Sequence, residues 1–379
     1  MTHPDTIIFN DLKAQQARIK EGINLAIARV LDHGKYILGP EVCALERELS
    51  KYTGAKHVIS CSSGTDALLL VLLANNIDNM DAVFIPSFTF VSTAEVVALL
   101  GAIPVFVDVN PETFLMDPLS LDQAIRRSKR DGLNPRCIIP VDLFGQTADY
   151  EIINEIAEQE KLFVLSDGAQ SFGASCKGRI VGTLADATAT SFFPAKPLGC
   201  YGDGGAIFTD DEDLAFHVRS LRVHGRRTDK YDNVCIGING RLDTLQAAIL
   251  IEKLTILDEE MAAKQVIAEH YSDALSRIVK VPVIVKDSVS AWAQYTIQTE
   301  HRDMISRVLK SRGIPTAIYY PKPLHLQEAY MKYPRTAEIL PVSEKLAECV
   351  LSIPVHPYLD PASQDRIIDE IKQAVKSML

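Results

Sequence analysis

Apolar residues recur along this chain in two alternating patterns, one typical of buried strands and the other of helices that bury one face. Residues 57–74 are predicted to form a strand, a turn and a helix in succession. Further strands are predicted within 81–88, 103–109, 136–145 and 162–167, and helices within 12–32, 41–51, 92–102, 119–129 and 149–160.

This alternation of strands and helices predicts an α/β fold with a mostly parallel, doubly wound sheet. Ligands of such sheets bind beyond the carboxyl ends of the strands. Four polar segments fall at predicted strand ends, namely 62–65, 87–90, 142–146 and 167–170. We therefore expect these segments to converge on one site.

The pattern changes after a helix that is predicted near 242–275. The segments that follow are a strand within 292–299, a helix around 302–312, a proline-interrupted stretch at 319–325 and a last helix near 361–378. We therefore predict a large domain at 1–255 and a smaller C-terminal α+β domain at 256–379. A length of 379 residues is compatible with two domains.

Composition excludes several classes of function. The net charge of -10 argues against nonspecific binding of nucleic acid, which requires a basic face. The seven cysteines are scattered and form no C-x-x-C pair, which indicates reduced thiols in a cytoplasmic protein and gives no support for a metal site. There is no signal-peptide core and no apolar run of about 20 residues, so we expect no membrane association.

One amine and one carboxylate carry the strongest chemical signal. Lys196 lies between an apolar, strand-like segment and a turn-rich GDGG stretch, and Asp167 ends another apolar run. Pyridoxal phosphate requires an amine that holds its aldehyde as a Schiff base and a carboxylate that keeps its ring nitrogen protonated. The alternatives are a solvated loop lysine and an aspartate that caps a helix.

Residues around this pair could hold the rest of such a cofactor. Gly64 and Thr65 join a strand to a helix, where free N–H groups favour a phosphate, although a simple helix cap would look the same. Ser191 could also bind the phosphate. Phe88 could stack on the cofactor ring or belong to the core. Gln170 could reach the phenolic oxygen or complete a capping box with Asp167.

Cationic residues further along the chain could attract a diphosphate. His224, Arg226, Arg227 and Lys230 lie within seven residues, although a solvated surface loop has the same composition. Asn239 and Arg241 precede a predicted helix and could contact an anion or merely cap the helix.

Five sequence motifs carry a resemblance to a known family. They are SSGTDAL, PSFTFVSTAE, SDGAQSFGA, SFFPAKPLGCYGDGGA and NGRLDTLQAA. With them the chain resembles the DegT/DnrJ/StrS sugar aminotransferases, which are fold type I pyridoxal phosphate enzymes, from FNDLKAQQARIK to LSIPVHPYL. The resemblance implies a homodimer with active sites at the subunit interface.

The resemblance also implies a role for each candidate residue. Gly64, Thr65 and Ser191 would bind the phosphate, together with Asn239 of the neighbouring subunit. Phe88 would stack on the ring, Asp167 would pair with its nitrogen, Gln170 with its phenolic oxygen, and Lys196 would carry the Schiff base. Arg241 and Tyr320 match positions near the sugar nucleotide. Relatives often have His-Tyr-Pro where this chain has Tyr319, Tyr320 and Pro321.

The segments HGKYILGPEV and FFPAKPLGCYGDGGAIF resemble one branch of the family most closely. These enzymes aminate UDP-2-acetamido-2-deoxy-3-keto-glucuronic acid for bacterial surface polysaccharide such as O-antigen. The implied reaction moves the amino group of glutamate to the keto sugar. Amination at carbon 4 of a 4-keto-6-deoxy sugar nucleotide and a noncatalytic, cofactor-binding regulator remain alternatives. A 3-dehydratase is disfavoured, because related dehydratases have histidine in place of Lys196.

Overall fold

A computed structural model describes residues 7–227, 229 and 231–377 of the chain. The helices are α1 (Leu12–Arg18), α2 (Lys20–His33), α3 (Pro40–Thr53), α4 (Gly64–Ala74), α5 (Ser92–Leu99), α6 (Pro118–Arg130), α7 (Tyr150–Glu160), α8 (Glu212–Leu221), α9 (Thr244–Leu254), α10 (Leu257–Leu275), α11 (Arg302–Ser311), α12 (Pro341–Cys349) and α13 (Pro361–Lys376). Short 3-10 turns lie at Leu143–Gly145 and Leu324–Leu326.

The strands are β1 (His57–Cys61), β2 (Asp81–Pro86), β3 (Ile103–Val107), β4 (Asn134–Ile138), β5 (Phe163–Asp167), β6 (Ser175–Cys176), β7 (Arg179–Ile180), β8 (Ala187–Ser191), β9 (Gly205–Thr209), β10 (Ser288–Val289), β11 (Tyr295–Gln298) and β12 (Val350–Ile353). Seven of them form the main sheet in the order β1-β9-β8-β5-β4-β2-β3. β9 runs antiparallel to both of its neighbours, and the other pairings are parallel. The predicted α/β fold with a mostly parallel sheet is confirmed.

Helices cover both faces of this sheet. α4 is almost entirely apolar, because it lies between the sheet and the neighbouring helices α5 and α8. α6 and α7 cover the other face with the apolar side of each helix. Strands enclosed in this way are buried along their length, as β2 and β9 are. The sheet is therefore a rigid layer whose strand ends position the loops beyond them.

Two predicted helices are each divided in two. Ile19 leaves the helical conformation (φ -113°, ψ 19°) between α1 and α2, and Ile256 (φ -112°, ψ 0°) does so between α9 and α10. Apolar spacing continues across both breaks, so the sequence pattern does not mark them. After the second break the packing partner changes, since α9 packs on α2 and α3 whereas α10 packs on α13.

A second core lies among the C-terminal elements. The two-stranded sheet of β11 and β12 packs with α10, α11 and α13 around buried side chains that include Tyr271, Tyr295 and Leu309. The stretch after Tyr320 returns to the main sheet, where Leu324 joins the core beside α4 and α5. The division into 1–255 and 256–379 stays a prediction. Within the described part of the chain, no helix combines the length and the apolar character needed to cross a membrane.

Candidate active site

Asp167 is the last residue of β5 and lies at the carboxyl end of the main sheet. Its side chain is buried and accepts a hydrogen bond from the Thr93 hydroxyl (2.8 Å) and a longer one from the Ala169 N–H (3.3 Å). Burial raises the pKa of the Asp167 carboxyl, while these two donors and the charge of Lys196 oppose the rise. A cation placed against this carboxylate would be stabilised strongly, because little water screens the interaction.

Lys196 lies in the loop between β8 and β9, on a turn closed by a hydrogen bond from its N–H to the Phe193 carbonyl (2.9 Å). Burial lowers the pKa of the Lys196 amine, and the negative charge of Asp167 partly offsets this effect. The amine is thus more easily deprotonated than an exposed lysine, as a nucleophile or general base requires. The structure brings Lys196 and Asp167 into electrostatic contact, which the sequence could only suggest.

The start of α4 forms a narrow cradle with the end of β8. Ser63 caps the helix by accepting a hydrogen bond from the Asp66 N–H (3.0 Å), and the hydroxyls of Thr65 and Ser92 lie 2.8 Å apart. A Cβ atom on Gly64 would lie 2.7 Å from the Cβ of Ser191, so only glycine fits there without a shift. Helix N–H groups and hydroxyls meet in this cradle, as at other phosphate sites.

The aromatic residues after β2 occupy different environments from those predicted. Phe88 has no exposed surface and belongs to a core cluster, whereas Phe90 is 55% exposed. Both rings approach Tyr320, at centroid distances of 6.1 Å for Phe88 and 6.3 Å for Phe90. Phe88 therefore offers no free face to a ligand, which argues against the predicted stacking of this residue on a ring. Phe90 is the residue with a free face.

Gln170 does not form a capping box. Its Oε1 atom accepts a hydrogen bond from the Phe144 N–H (2.7 Å), and its Nε2 atom donates to the Tyr320 hydroxyl (3.3 Å). Burial raises the pKa of Tyr320, so its hydroxyl stays protonated. The structure thus brings Gln170 and Tyr320, which are 150 positions apart, to one side of the site.

Asn239 and Arg241 lie beside the start of α4, because the intervening Gly240 carbonyl accepts a hydrogen bond from the Ser62 N–H (3.1 Å). Asn239 is exposed, and Arg241 is half-buried. The Arg241 Nε atom is shielded from water and has no hydrogen-bond partner within the described residues. Neither residue caps α9, whose N-cap position is Asp243. Lys230 of the predicted cationic cluster lies outside the described residues.

Two parts of the site were missed from the sequence. Thr93 binds Asp167 from the first turn of α5. The buried His325 ring joins the Ser87 hydroxyl (2.5 Å from Nδ1) to the Glu344 carboxylate (3.1 Å from Nε2). No local pattern marks such contacts, since 238 positions separate Ser87 from His325. In the residues that the structure describes, no group of three or more His, Cys, Asp or Glu side chains could hold a metal ion.

Comparison with known proteins gives a consistent result. The model of the DegT/DnrJ/EryC1/StrS aminotransferase family matches residues 17–372. A curated relative from Pseudomonas aeruginosa, UDP-2-acetamido-2-deoxy-3-oxo-D-glucuronate aminotransferase, is 49% identical over 94% of this chain and 97% of its own length.

Solved structures agree with this match. A DegT DnrJ EryC1 StrS aminotransferase from Brucella abortus superposes with a TM-score of 0.96 at 52% identity and covers 97% of this chain and 99% of its own. NtdA from Bacillus subtilis, solved with the bound cofactor PMP, gives a TM-score of 0.90 at 30% identity, over 99% of this chain and 86% of its own.

Proposed function

The chain belongs to the DegT/DnrJ/EryC1/StrS aminotransferase family, and from this premise we propose that it is a pyridoxal phosphate enzyme that moves the amino group of glutamate to a UDP-linked keto sugar. The proposed acceptor is UDP-2-acetamido-2-deoxy-3-keto-glucuronic acid. The observation that carries the proposal is that Lys196, whose pKa is lowered, lies near enough to the buried carboxylate of Asp167 for their charges to interact.

The residues of the site fit this cofactor. The cradle at Gly64 would receive its phosphate, with Thr65 and Ser191 as hydroxyl partners. Phe90, rather than Phe88, would lie against its ring, because Phe90 has the exposed face. When bound, the cofactor supplies an aldehyde that accepts amines and a cationic ring that withdraws electrons.

Each residue then has a task that its environment supports. Asp167 holds the proton on the ring nitrogen, since a buried carboxylate favours a neighbouring cation. Lys196 supplies the amine that attaches the cofactor, and its lowered pKa lets it take a proton from a substrate carbon. Gln170 orients the Tyr320 hydroxyl, which stays protonated and can donate to the cofactor or the sugar.

The choice of acceptor rests on the 49% identical relative and on the side chain of Arg241. Its Nε atom is buried and has no hydrogen-bond acceptor among the residues that the structure describes, and this is costly unless an anion from outside the chain supplies one. Both a diphosphate and a uronic acid carboxylate could do so. Formation of 2,3-diamino sugars for bacterial surface polysaccharide such as O-antigen is the proposed use of the product.

We also propose a homodimer in which Asn239 completes the site of the neighbouring subunit. Asn239 is exposed, and the same loop exposes large apolar side chains, among them Ile236 at 92%. Several exposed apolar side chains in one loop are typical of an interaction surface. The proposed compartment is the cytoplasm, and the seven free cysteines support it.

Two measurements test the function. Addition of glutamate to the cofactor-loaded protein should shift its absorbance from the pyridoxal to the pyridoxamine band. A coupled assay should then show amination of the 3-keto glucuronic acid in preference to a 4-keto-6-deoxy sugar nucleotide. A protein that binds the cofactor but shows no shift with glutamate would contradict the aminotransferase. Preference for the 4-keto sugar would overturn only the proposed acceptor.

A further inference from the structure

Asp142 is a second buried carboxylate at the carboxyl end of the sheet, and the proposed chemistry does not use it. It follows β4 and has no exposed surface. Its Oδ1 atom accepts hydrogen bonds from the Ala148 N–H and the Tyr150 hydroxyl, each at 2.8 Å, and its Oδ2 atom accepts one from the Ser171 hydroxyl at 2.8 Å. Within the described part of the chain, Asp142 has no ion-pair partner.

Asp142 lies next to Asp167 on the neighbouring segment of the sheet. The Asp142 N–H donates to the Asp167 carbonyl (3.1 Å), and the Asp167 N–H donates to the Pro140 carbonyl (2.9 Å). Ser171, which binds Asp142, lies at the end of the turn that begins with Asp167. The backbones of Asp142 and Asp167 are therefore held side by side in the buried part of the sheet.

The groups around Asp142 leave its negative charge uncompensated. Tyr150 of α7 is kept neutral, because burial raises its pKa, and Asp167 of β5 carries a like charge. The charge of Lys196 acts on Asp167 and is not among the charges that act appreciably on Asp142. Burial, with a smaller contribution from Asp167, raises the pKa of Asp142 to about 6. Its charge therefore changes near neutral pH.

We propose that Asp142 is a positioning residue that acts through Asp167 to strengthen the binding of a cationic ring nitrogen. Without the cofactor, the two neighbouring carboxylates repel each other in a buried environment. A cation held by Asp167 relieves this repulsion, so its binding is more favourable when Asp142 is ionised. This inference rests on the proposed function, since the cation is the protonated ring of pyridoxal phosphate.

A structural role for Asp142 is the competing explanation, because the same hydrogen bonds also fix the 142–150 and 167–171 segments. Asp142→Asn separates the two roles. An asparagine keeps the shape and can still accept hydrogen bonds from Ala148 and Tyr150, but it carries no charge. Ser171→Ala is the matched control at pH 8, since it removes one hydrogen bond of Asp142 but keeps a carboxyl group that can ionise.

The test is a titration of cofactor-free protein with pyridoxal phosphate between pH 5 and pH 8. We expect Asp142→Asn to raise the Kd roughly tenfold at pH 8, the change that corresponds to one unit of pKa. The ratio of mutant to wild-type Kd should fall towards one at pH 5, where the wild-type carboxyl is also neutral. For Ser171→Ala the ratio at pH 8 should be smaller than for Asp142→Asn, because the carboxyl group remains.

The nitrogen NMR shift of a cofactor labelled at the ring nitrogen gives a second measurement, because it reports directly whether that atom is protonated. Asp142→Asn should lower the protonated fraction. A ratio of dissociation constants that stays constant from pH 5 to pH 8, together with an unchanged nitrogen shift, would overturn the proposal and leave Asp142 a structural residue. Neither readout requires a sugar substrate. Failure of the wild type to bind the cofactor would instead contradict the proposed function.

Discussion

The two sides of the site differ in whether their polar groups find hydrogen-bond partners within the chain. On the sheet side, Asp167 and Asp142 are buried, and each carboxylate accepts hydrogen bonds from other residues of the chain. On the loop side, Asn239 is exposed and the Nε atom of the half-buried Arg241 has no partner within the described residues. We therefore expect the chemistry to depend on the sheet and recognition to depend on loops that another molecule completes.

The largest effect is expected from a substitution that removes the chemistry of the site. Lys196→Ala should lower the rate of amino transfer by roughly 1,000-fold, since it removes the amine that attaches the cofactor and moves the proton. Single-turnover kinetics with glutamate would measure the loss. Lys177→Ala, which removes an exposed lysine paired with Glu151, is the control and should leave the rate unchanged. Full activity of Lys196→Ala would end the assignment of this residue.

The next prediction contrasts two neighbouring aromatic residues. Phe88→Ala should lower the free energy of unfolding of the cofactor-free protein by about 3–5 kcal/mol, because it opens a cavity in a core cluster. Phe90→Ala should change that free energy by less than about 0.5 kcal/mol and should instead weaken cofactor binding. Urea unfolding and a cofactor titration distinguish the two. Equal effects of both substitutions on binding, with neither affecting stability, would contradict the assignment of Phe90.

These two phenylalanines show where prediction from sequence reaches its limit. The alternation of elements predicted the parallel sheet, and it brought Asp167 and Lys196 together because loops beyond parallel strand ends converge. It did not distinguish Phe88 from Phe90, since both follow the same strand. The backbone bends at 87–89, and this bend buries one ring and exposes the other. Burial at a bend depends on packing partners that are distant in sequence.

Packing partners that are distant in sequence also explain the other differences between the predicted and the observed structure. The break at Ile19 interrupts a continuous apolar pattern, so tertiary packing and not local propensity decides it. His325 lies in a proline-interrupted stretch with no helical or strand period, yet it binds the end of β2. The sequence also gives no sign that Asp142 is buried, because it looks like an ordinary loop aspartate.

A smaller effect is expected from a substitution on the loop side of the site. Arg241→Ala should raise KM for the sugar nucleotide about 10- to 100-fold, the usual loss for a hydrogen bond to a charged group. Cofactor affinity should change little, because the cradle at Gly64 remains intact. Arg130→Ala makes the same charge change at an exposed position of α6 and serves as the control. A change in cofactor affinity larger than the change in KM would contradict the proposal that Arg241 binds the sugar nucleotide and not the cofactor.

The smallest effect concerns the pH dependence of stability at the junction of the two sides. His325 links Ser87, at the end of β2, to Glu344 of α12, and burial lowers the pKa of its ring below the ordinary 6.5. A histidine whose pKa is lower in the folded state stabilises the protein above pH 6.5, and this stability is lost as the pH falls through the folded value. Glu344 has a lowered pKa because of its hydrogen bond to His325, so its contribution is lost only at more acidic pH, below its ordinary 4.5.

The wild type should therefore lose stability between about pH 7 and pH 5 through His325. His325→Gln keeps a side chain that can bind Ser87 or Glu344 but cannot titrate. Its unfolding free energy should be lower at pH 7 and should change less on acidification, as measured by urea unfolding of the cofactor-free protein at each pH. His301→Gln, at an exposed position before α11, is the control and should keep the wild-type slope. If the unfolding free energy of His325→Gln changed with pH as much as that of the wild type, the prediction would be wrong. The contact between the sheet and residues 319–325 would then not depend on the charge of the His325 ring.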